Sequence, residues 1–162
     1  MKTGKKTKKI PGSSDENRLL TVCKLLNKQR AKYLVVGGLA CNLHGLIRAT
    51  KDIDVLIPKD EKNTEKILAA LGELPFGVAK ELDIKEVSEK PMTIVGDIPR
   101  VDLLTVANTV KYEQAEKTAL QARISHVLIP YVDYPTLVKT KQTDRLQDKA
   151  DLEQLEKLHK PS

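Results

Sequence analysis

The sequence predicts one α/β (α+β) domain, in which helices flank a small mixed β-sheet and further helices follow towards the C-terminus. Apolar residues recur at helical spacing in several segments, and short runs rich in valine, isoleucine and leucine lie between them. Glycine, proline and aspartate residues separate the two kinds of segment. A chain of 162 residues fits a single domain, which we place at residues 13–162.

The first predicted element is a helix over Asp15–Gln29. Ser13 and Glu16 have the spacing of a capping box, and leucines follow at helical intervals. A strand, KYLVVGG, is predicted at residues 32–38, and its two glycines lead directly into a short helix over Leu39–Leu46.

The middle of the chain alternates between strands and one helix. KDIDVLIP, residues 51–58, reads as a strand that ends at its proline, and residues 60–74 read as a helix. Further strands are predicted at Gly77–Leu82 and Met92–Val95, and RVDLLTV at residues 100–106 has a stronger strand pattern.

The remaining segments predict three helices and one strand. A helix is expected over Lys111–Arg123, followed by a strand, SHVLIP, at residues 125–130. Two helices then follow, over Pro135–Gln142 and Asp144–Lys157.

The net charge of +6 is concentrated at the start of the chain, where five lysines fall within the first nine residues. Residues 1–12 cannot form a core, so we predict a disordered basic arm that adds attraction to a phosphate backbone or serves as a solvated tail. No apolar run approaches the length of a membrane span, so we expect a cytoplasmic protein without membrane contact.

Two carboxylates lie in the second predicted strand. Asp52 and Asp54 point to the same face of that strand, because side chains alternate across it. Two adjacent carboxylates repel each other unless a cation lies between them, and oxygen ligands suit Mg²⁺ or Mn²⁺. Asp102, in the strand RVDLLTV, is the candidate for a third carboxylate. Exposed strand residues without a site are the alternative interpretation.

A glycine pair precedes these carboxylates. Gly37 and Gly38 end a strand and open a helix, which lets the backbone approach a ligand closely and directs unpaired N–H groups at an anion such as phosphate. Most glycine pairs are turns, so the pair gains weight only from the carboxylates that follow.

The segment GGLACNLHGLIRATKDIDVLI, residues 37–57, resembles the nucleotidyltransferases of the DNA polymerase beta superfamily. The small bacterial AbiEii-like, or minimal nucleotidyltransferase, group associated with toxin–antitoxin systems is the most similar. RVDLLT resembles the strand of the third carboxylate, and LVKTKQTDRLQDKADLEQL resembles the closing segment of the family. On that pattern the matching positions are Lys141, Arg145 and Asp148, with Lys139 as a competitor for Lys141.

The resemblance implies a nucleotidyltransferase fold and an enzyme of the EC 2.7.7 type. Such an enzyme transfers a nucleoside monophosphate from a nucleoside triphosphate to an acceptor hydroxyl and releases pyrophosphate. It further implies two Mg²⁺ or Mn²⁺ ions, held by the catalytic and metal-binding carboxylates Asp52, Asp54 and Asp102. The implied phosphate-binding residues are Gly37, Gly38, Arg48 and Lys141.

Four other residues match the family pattern and have structural alternatives. His44 orients the loop before Arg48 or transfers a proton, and Thr50 supports the site or only starts the strand. Arg145 and Asp148 support the site or form a surface ion pair. Arg48 could itself pair with Asp52 or Asp102 when no substrate is bound.

The acceptor stays open among the 3′ end of an RNA, a protein side chain and a small hydroxylated molecule. The basic arm favours RNA. Two other functions are considered: a non-catalytic nucleotide-binding or protein-interaction module of a toxin–antitoxin pair, with an antitoxin or other partner protein, and a nucleic-acid-binding protein that acts through charge alone.

Overall fold

The computed structural model describes residues 5–7 and 13–160, and the side chains of residues 16–160. Its strands are β1 Lys5–Thr7, β2 Leu34–Val36, β3 Ile53–Leu56, β4 Met92–Val95, β5 Val101–Leu104, β6 Leu120–Ile124 and β7 Val127–Tyr131. They form one mixed sheet in the order β1-β6-β7-β2-β3-β5-β4. β2 pairs with β3 in antiparallel and with β7 in parallel orientation, and β3 pairs with β5 in parallel orientation.

The α-helices of the described residues are α1 Ser13–Lys28, α2 Gly37–Leu43, α3 Glu61–Leu71, α4 Ile84–Glu89, α5 Tyr112–Ala115, α6 Tyr134–Lys141 and α7 Leu146–His159. Side chains open several of them. Asp60 accepts a hydrogen bond from the Lys62 N–H at the start of α3, and Asp133 accepts one from Thr136 at the start of α6. The predicted fold class, helices around a small mixed sheet, is confirmed.

The hydrophobic core lies between the sheet and the helices. Ile53 and Val55 of β3 are buried, as the alternation of the strand predicts, while Asp54 between them is half-buried. α1 and α3 pack against each other and contribute fully buried residues such as Leu26 and Ile67. The sheet thus has a packed interior beneath β2, β3 and β5 and a partly open edge above them.

The strand predicted at Gly77–Leu82 is wrong. A short 3₁₀ helix occupies Val78–Glu81, preceded by Gly77 in the left-handed region, and the unpredicted α4 follows. The Asp97 carboxylate accepts hydrogen bonds from the N–H groups of Phe76 and Val78. These backbone donors are therefore satisfied without a neighbouring strand.

The helix predicted over Lys111–Arg123 is wrong in its second half. The helix ends at Ala115, a 3₁₀ turn follows at Glu116–Thr118, and the next residues form β6. β6 pairs along its length with β7 in a hairpin. Local propensity favours a helix for these residues, but the ladder with β7 satisfies their backbone instead, so the tertiary partner decides.

Part of the predicted basic arm is a strand. Lys5–Thr7 pair in parallel with β6 at one edge of the sheet. The other residues of the 1–12 arm lie outside the described residues, so the disorder predicted for them stays a prediction. Within the described ranges, no helix has the length and apolar character that crossing a membrane requires.

Candidate active site

Two of the predicted carboxylates are neighbours across adjacent strands. Asp54 of β3 and Asp102 of β5 are register partners in a parallel pair, so their side chains leave the sheet on the same face. Asp102 is buried, with 9% of its side chain exposed. A cluster predicted from two distant segments of the sequence is thus brought together by the pairing of β3 with β5.

The Asp54 carboxyl holds its proton much more tightly than an ordinary aspartate. Burial, the charges of Asp102 and Asp52, and a hydrogen bond with Asp102 together raise the pKa of Asp54 to about 7. The charge of Lys141 acts in the opposite direction and is too small to offset them. Asp54 therefore lies in a cluster of carboxylates whose repulsion of its negative charge Lys141 offsets only in part.

Arg100 contacts two carboxylates of this cluster, Asp102 and Asp52. Its Nε and Nη2 atoms donate to the two Asp102 carboxylate oxygens over 2.9 and 3.1 Å. The same Nε lies 3.6 Å from Oδ1 of Asp52, whose side chain is 34% exposed. The hydrogen bond with Asp102 is the main cause that raises the pKa of Arg100. Asp52 and Asp102 thus share one guanidinium group.

The carboxylates fit a divalent cation in one respect and not in another. Asp54 and Asp102 supply hard oxygen donors side by side, which suits Mg²⁺ and Mn²⁺. In the described part of the chain, however, no group of three or more His, Cys, Asp or Glu side chains is arranged to hold a metal ion. Asp52 lies 3.6 Å from Nε of Arg100, which also binds Asp102.

The glycine pair is packed closely against site residues, Gly37 against Asp54 and Gly38 against Arg48 and Thr50. Neither position leaves room for a larger residue. Gly37 has φ +68°, and an added Cβ would lie 2.2 Å from Oδ2 of Asp54. An added Cβ at Gly38 would lie 2.2 Å from a terminal nitrogen of Arg48 and 2.8 Å from Cβ of Thr50. α2 begins at Gly37 itself, two residues earlier than predicted. The backbone of this junction is therefore packed closely against site residues.

Arg48 and Lys141 meet at a carboxylate that the sequence reading did not select. Arg48 Nε lies 3.2 Å from Oδ1 of Asp151, and Lys141 Nζ donates to Oδ2 of Asp151 over 2.8 Å. Lys141 is buried and lines the cavities described below, whereas Lys139 is exposed and does not. The alternative partners considered for Arg48, Asp52 and Asp102, are not the ones it contacts.

Arg145 and Asp148 form the ion pair that their spacing allows. Arg145 donates two hydrogen bonds to Asp148, over 2.9 and 3.1 Å, and Thr143 donates a third. Lys141 Nζ lies 3.5 Å from the same carboxylate. Burial acts to raise the pKa of Asp148, but the hydrogen bonds from Arg145 and Thr143 and the charge of Lys141 outweigh it and lower the pKa.

Thr50 lines the first of the two cavities described next, whereas His44 lines neither of them. The His44 ring nitrogen Nε2 is 2.8 Å from the carbonyl of Val132, and its ring contacts Tyr131 edge to face. These contacts join the end of α2 to β7 and favour the structural role over proton transfer. Thr50 donates to the carbonyl of Asp52 over 3.3 Å and packs against Gly38.

Two cavities meet at the carboxylate pair. The first, about 510 Å³, has polar walls that include Gly38, Arg48 and Arg100. The second, about 230 Å³, lies between the ends of β2 and β5 and the α6–α7 junction. Both are lined by Asp54 and Asp102. We call them the phosphate-side cavity and the junction cavity.

A family model described as a nucleotidyltransferase of unknown function, DUF6036, matches residues 17–97, half of the chain. The chain belongs to this nucleotidyltransferase family. The matched segment contains the glycine pair, Arg48, Asp52 and Asp54 and ends before Asp102. No curated protein matches the chain significantly.

Two residues of this candidate site were missed in the sequence. Arg100 stands just before β5 and two residues before Asp102, a spacing that places both side chains on one face if the extended backbone continues and so predicts their contact. Asp151 opens the final Asp-Leu of the closing segment, three residues after Asp148 and so on the same side of α7. Local spacing could have found both residues, although their partners come from other elements.

Proposed function

We propose that this chain is a metal-dependent enzyme that transfers a nucleoside monophosphate from a nucleoside triphosphate to an acceptor hydroxyl. The observation that carries the proposal is the registered Asp54–Asp102 pair, which lies directly beside the Gly37–Gly38 junction. The acceptor oxygen forms a new bond to the α-phosphorus, the bond between this phosphorus and the α,β-bridging oxygen breaks, and pyrophosphate leaves. The acceptor proton passes to a carboxylate of the pair.

The cations near the carboxylate pair support this assignment. Arg48, Lys141 and Arg145 are three cations that share two carboxylates, Asp148 and Asp151, so that one positive charge is left unbalanced. In the proposal this charge and the close backbone at the glycine pair bind the β- and γ-phosphates. Of the two cations that contact Asp151, Arg48 is the more accessible, with 22% of its side chain exposed against 6% for Lys141.

Asp54 and Asp102, with Asp52, are the residues that would hold Mg²⁺ or Mn²⁺. When bound, such ions stabilise negative charge on the phosphoryl oxygens and lower the pKa of the attacking hydroxyl. Asp52 and Asp102 are bound by Arg100 in this structure, so a second ion requires that Asp52 exchange this contact. We therefore propose two ions, of which the Asp54–Asp102 pair holds the first.

The acceptor in this proposal is an RNA 3′ end, because the lysines within the first nine residues and the net charge of +6 favour a polyanion. A protein side chain and a small hydroxylated molecule are the other acceptors that the experiment below distinguishes. Membership of the AbiEii-like group, and with it a cognate antitoxin as partner, is part of the same proposal and rests on the sequence resemblance alone.

The test is transfer of label from each of four α-labelled nucleoside triphosphates, with Mg²⁺ or Mn²⁺, to cellular RNA, cellular protein or a panel of small hydroxylated molecules. Wild type is compared with Asp54→Asn, which keeps size and removes one metal-binding charge. We expect Asp54→Asn to lose at least about a thousandfold in rate, because metal binding and charge stabilisation both depend on this carboxylate. In EDTA at pH 8 the melting temperature of the variant is expected to exceed that of wild type. The ionised Asp54 carboxylate, which burial and the neighbouring carboxylates disfavour, is absent from the variant.

Glu65→Gln is the matched control, since Glu65 is an exposed carboxylate of α3 outside both cavities. It should keep full activity. Full transfer by Asp54→Asn would contradict the site assignment. Triphosphate binding without transfer to any acceptor would instead favour the non-catalytic binding module. In such a module Arg100 stays hydrogen-bonded to Asp102.

A further inference from the structure

The junction cavity differs in character from the phosphate-side cavity. Its floor includes the apolar residues Val36, Leu104 and Ala107, and Met92 of the edge strand β4 lies at its rim. Its volume of about 230 Å³ is large enough for one purine ring system but not for a triphosphate as well. Lys141 and Arg145 line both cavities, but the apolar floor belongs to the junction cavity. Since the phosphates are assigned to the phosphate-side cavity, the junction cavity is the one that suits a nucleobase.

Asn108 lies in the wall of this cavity, and its hydrogen bonds determine which way its side-chain amide points. Its side-chain amide nitrogen donates to the carbonyls of Lys139 over 2.9 Å and Gln142 over 3.1 Å, at the C-terminal end of α6. Two carbonyl groups can only accept hydrogen bonds, so the amide must place its nitrogen towards them. Both amide protons are then used, and Oδ1 is left as a hydrogen-bond acceptor.

The threonine hydroxyl groups of the same wall also donate their hydrogen bonds to other groups of the protein. Thr140 donates to the carbonyl of Leu137 over 2.7 Å, and Thr143 donates to the Asp148 carboxylate. A hydroxyl group whose only O–H already donates a hydrogen bond can take part in a further one only as an acceptor. Among the described residues of this wall, the uncharged polar side chains therefore offer acceptors, and the cationic donors Lys141 and Arg145 are paired with Asp148 and Asp151.

We propose that the junction cavity is the base subsite and that Oδ1 of Asn108 selects nucleobases with an exocyclic amino group at the Watson–Crick edge, as in adenine and cytosine. The amino group donates to Oδ1, whereas the carbonyl oxygen of uracil or hypoxanthine at the same position meets another acceptor and is repelled. This inference rests on the proposed function, because it places the triphosphate across the Asp54–Asp102 pair.

The experiment is equilibrium binding of two matched pairs of triphosphates, ATP with ITP and CTP with UTP, to the full chain in Mg²⁺. Within each pair the amino group is replaced by a carbonyl oxygen and the size is kept. We expect the amino member to bind about tenfold more tightly in both pairs, because a donor is exchanged for a second acceptor.

Two variants separate this role from the anchoring of α6. Asn108 has φ +57°, which glycine adopts without strain, so Asn108→Gly keeps the turn and removes the oxygen. Asn108→Asp keeps an acceptor oxygen but loses both donors to α6. We expect the preference to fall below about threefold in Asn108→Gly and to persist in Asn108→Asp, with folding checked by circular dichroism.

Each result has a defined meaning. Equal binding within both pairs in wild type overturns the base subsite and leaves the proposed function standing, and this comparison needs no variant. A matching loss of preference in Asn108→Gly and Asn108→Asp shows that the anchoring of α6 is responsible and also overturns the assignment. No binding of any triphosphate overturns the proposed function together with this inference.

Discussion

At the scale of single residues, Arg100 determines the state of the carboxylate cluster without metal. Its guanidinium group satisfies both oxygens of Asp102 and approaches Asp52, so its single positive charge is shared by two of the three carboxylates that the proposed ions need. Among the described side chains no cation forms an ion pair with Asp54, and its pKa rises to about 7. One arginine side chain thus competes with the proposed metal for Asp102.

Replacing Arg100 with glutamine is expected to strengthen Mn²⁺ binding to the nucleotide-free protein by about tenfold, because the competing cation is removed. The measurement is titration with Mn²⁺ followed by electron paramagnetic resonance.

Lys51→Gln is the control for this prediction, since Lys51 lines the same cavity and its replacement changes the net charge equally. It should change the Mn²⁺ affinity by less than about threefold, as expected for a screened surface charge. Weaker Mn²⁺ binding by Arg100→Gln would contradict the competition.

At the scale of elements, the junction between β2 and α2 depends on the absence of side chains. An added Cβ at Gly38 would meet both Arg48 and Thr50, and the Thr50 Cβ cannot move without its backbone. The loop that carries Arg48 therefore lies on the junction itself. The position of a proposed phosphate-binding cation is thus determined by a glycine in another element.

Gly38→Ala is expected to displace this loop, to lower triphosphate affinity by about tenfold and to destabilise the fold by about 1–3 kcal/mol, as overpacking does. Calorimetric titration and thermal unfolding measure the two effects. Gly96→Ala is the matched control, because an added Cβ at Gly96 has no atom within 4 Å. If both variants bind triphosphate like wild type, the junction does not position the phosphates.

At the scale of the whole molecule, one buried ion-pair network joins segments that are far apart in the sequence. Arg48 comes from the loop after α2, Lys141 from α6, and Asp148 and Asp151 from α7. The two carboxylates are buried. Removing one partner of such a network leaves another buried charge unpaired, which is strongly destabilising.

Asp148→Asn is expected to destabilise the domain by about 2–4 kcal/mol at pH 7, and the loss should shrink as the pH falls below the ordinary aspartate value of 3.8. The sign follows from the lowered pKa of Asp148. Its ionised form stabilises the fold above the unfolded-state pKa, and this stabilisation disappears as the pH falls through the folded-state pKa. Denaturant unfolding of both proteins at pH 7, 5 and 3 measures it.

Glu153→Gln removes an exposed ion pair with Lys157 on the same helix and should change the free energy of unfolding by less than about 0.5 kcal/mol. A destabilisation by Asp148→Asn that is the same at all three pH values would mean that shape, and not charge, explains it.

Local patterns in the sequence predicted much of the fold and the site. The strands that carry Asp54 and Asp102, and the helices α1, α3, α6 and α7, have periodicities and end signals that act within a few residues. The Asp-x-Asp spacing and the glycine pair are also local. The Gly77–Leu82 segment and the second half of Lys111–Arg123 were wrong because Asp97 and β7, which lie elsewhere in the chain, satisfy their backbone groups.

The sequence by itself determined the fold class, the order of most elements and the residue types that the proposed chemistry requires, because these follow from short-range spacing. The tertiary structure alone decided that Asp54 is the register partner of Asp102, that Arg100 also approaches Asp52, and that Asp151 joins Arg48 to Lys141. The physical reason is that charges and hydrogen bonds act over a few ångströms in space, whatever the distance along the chain.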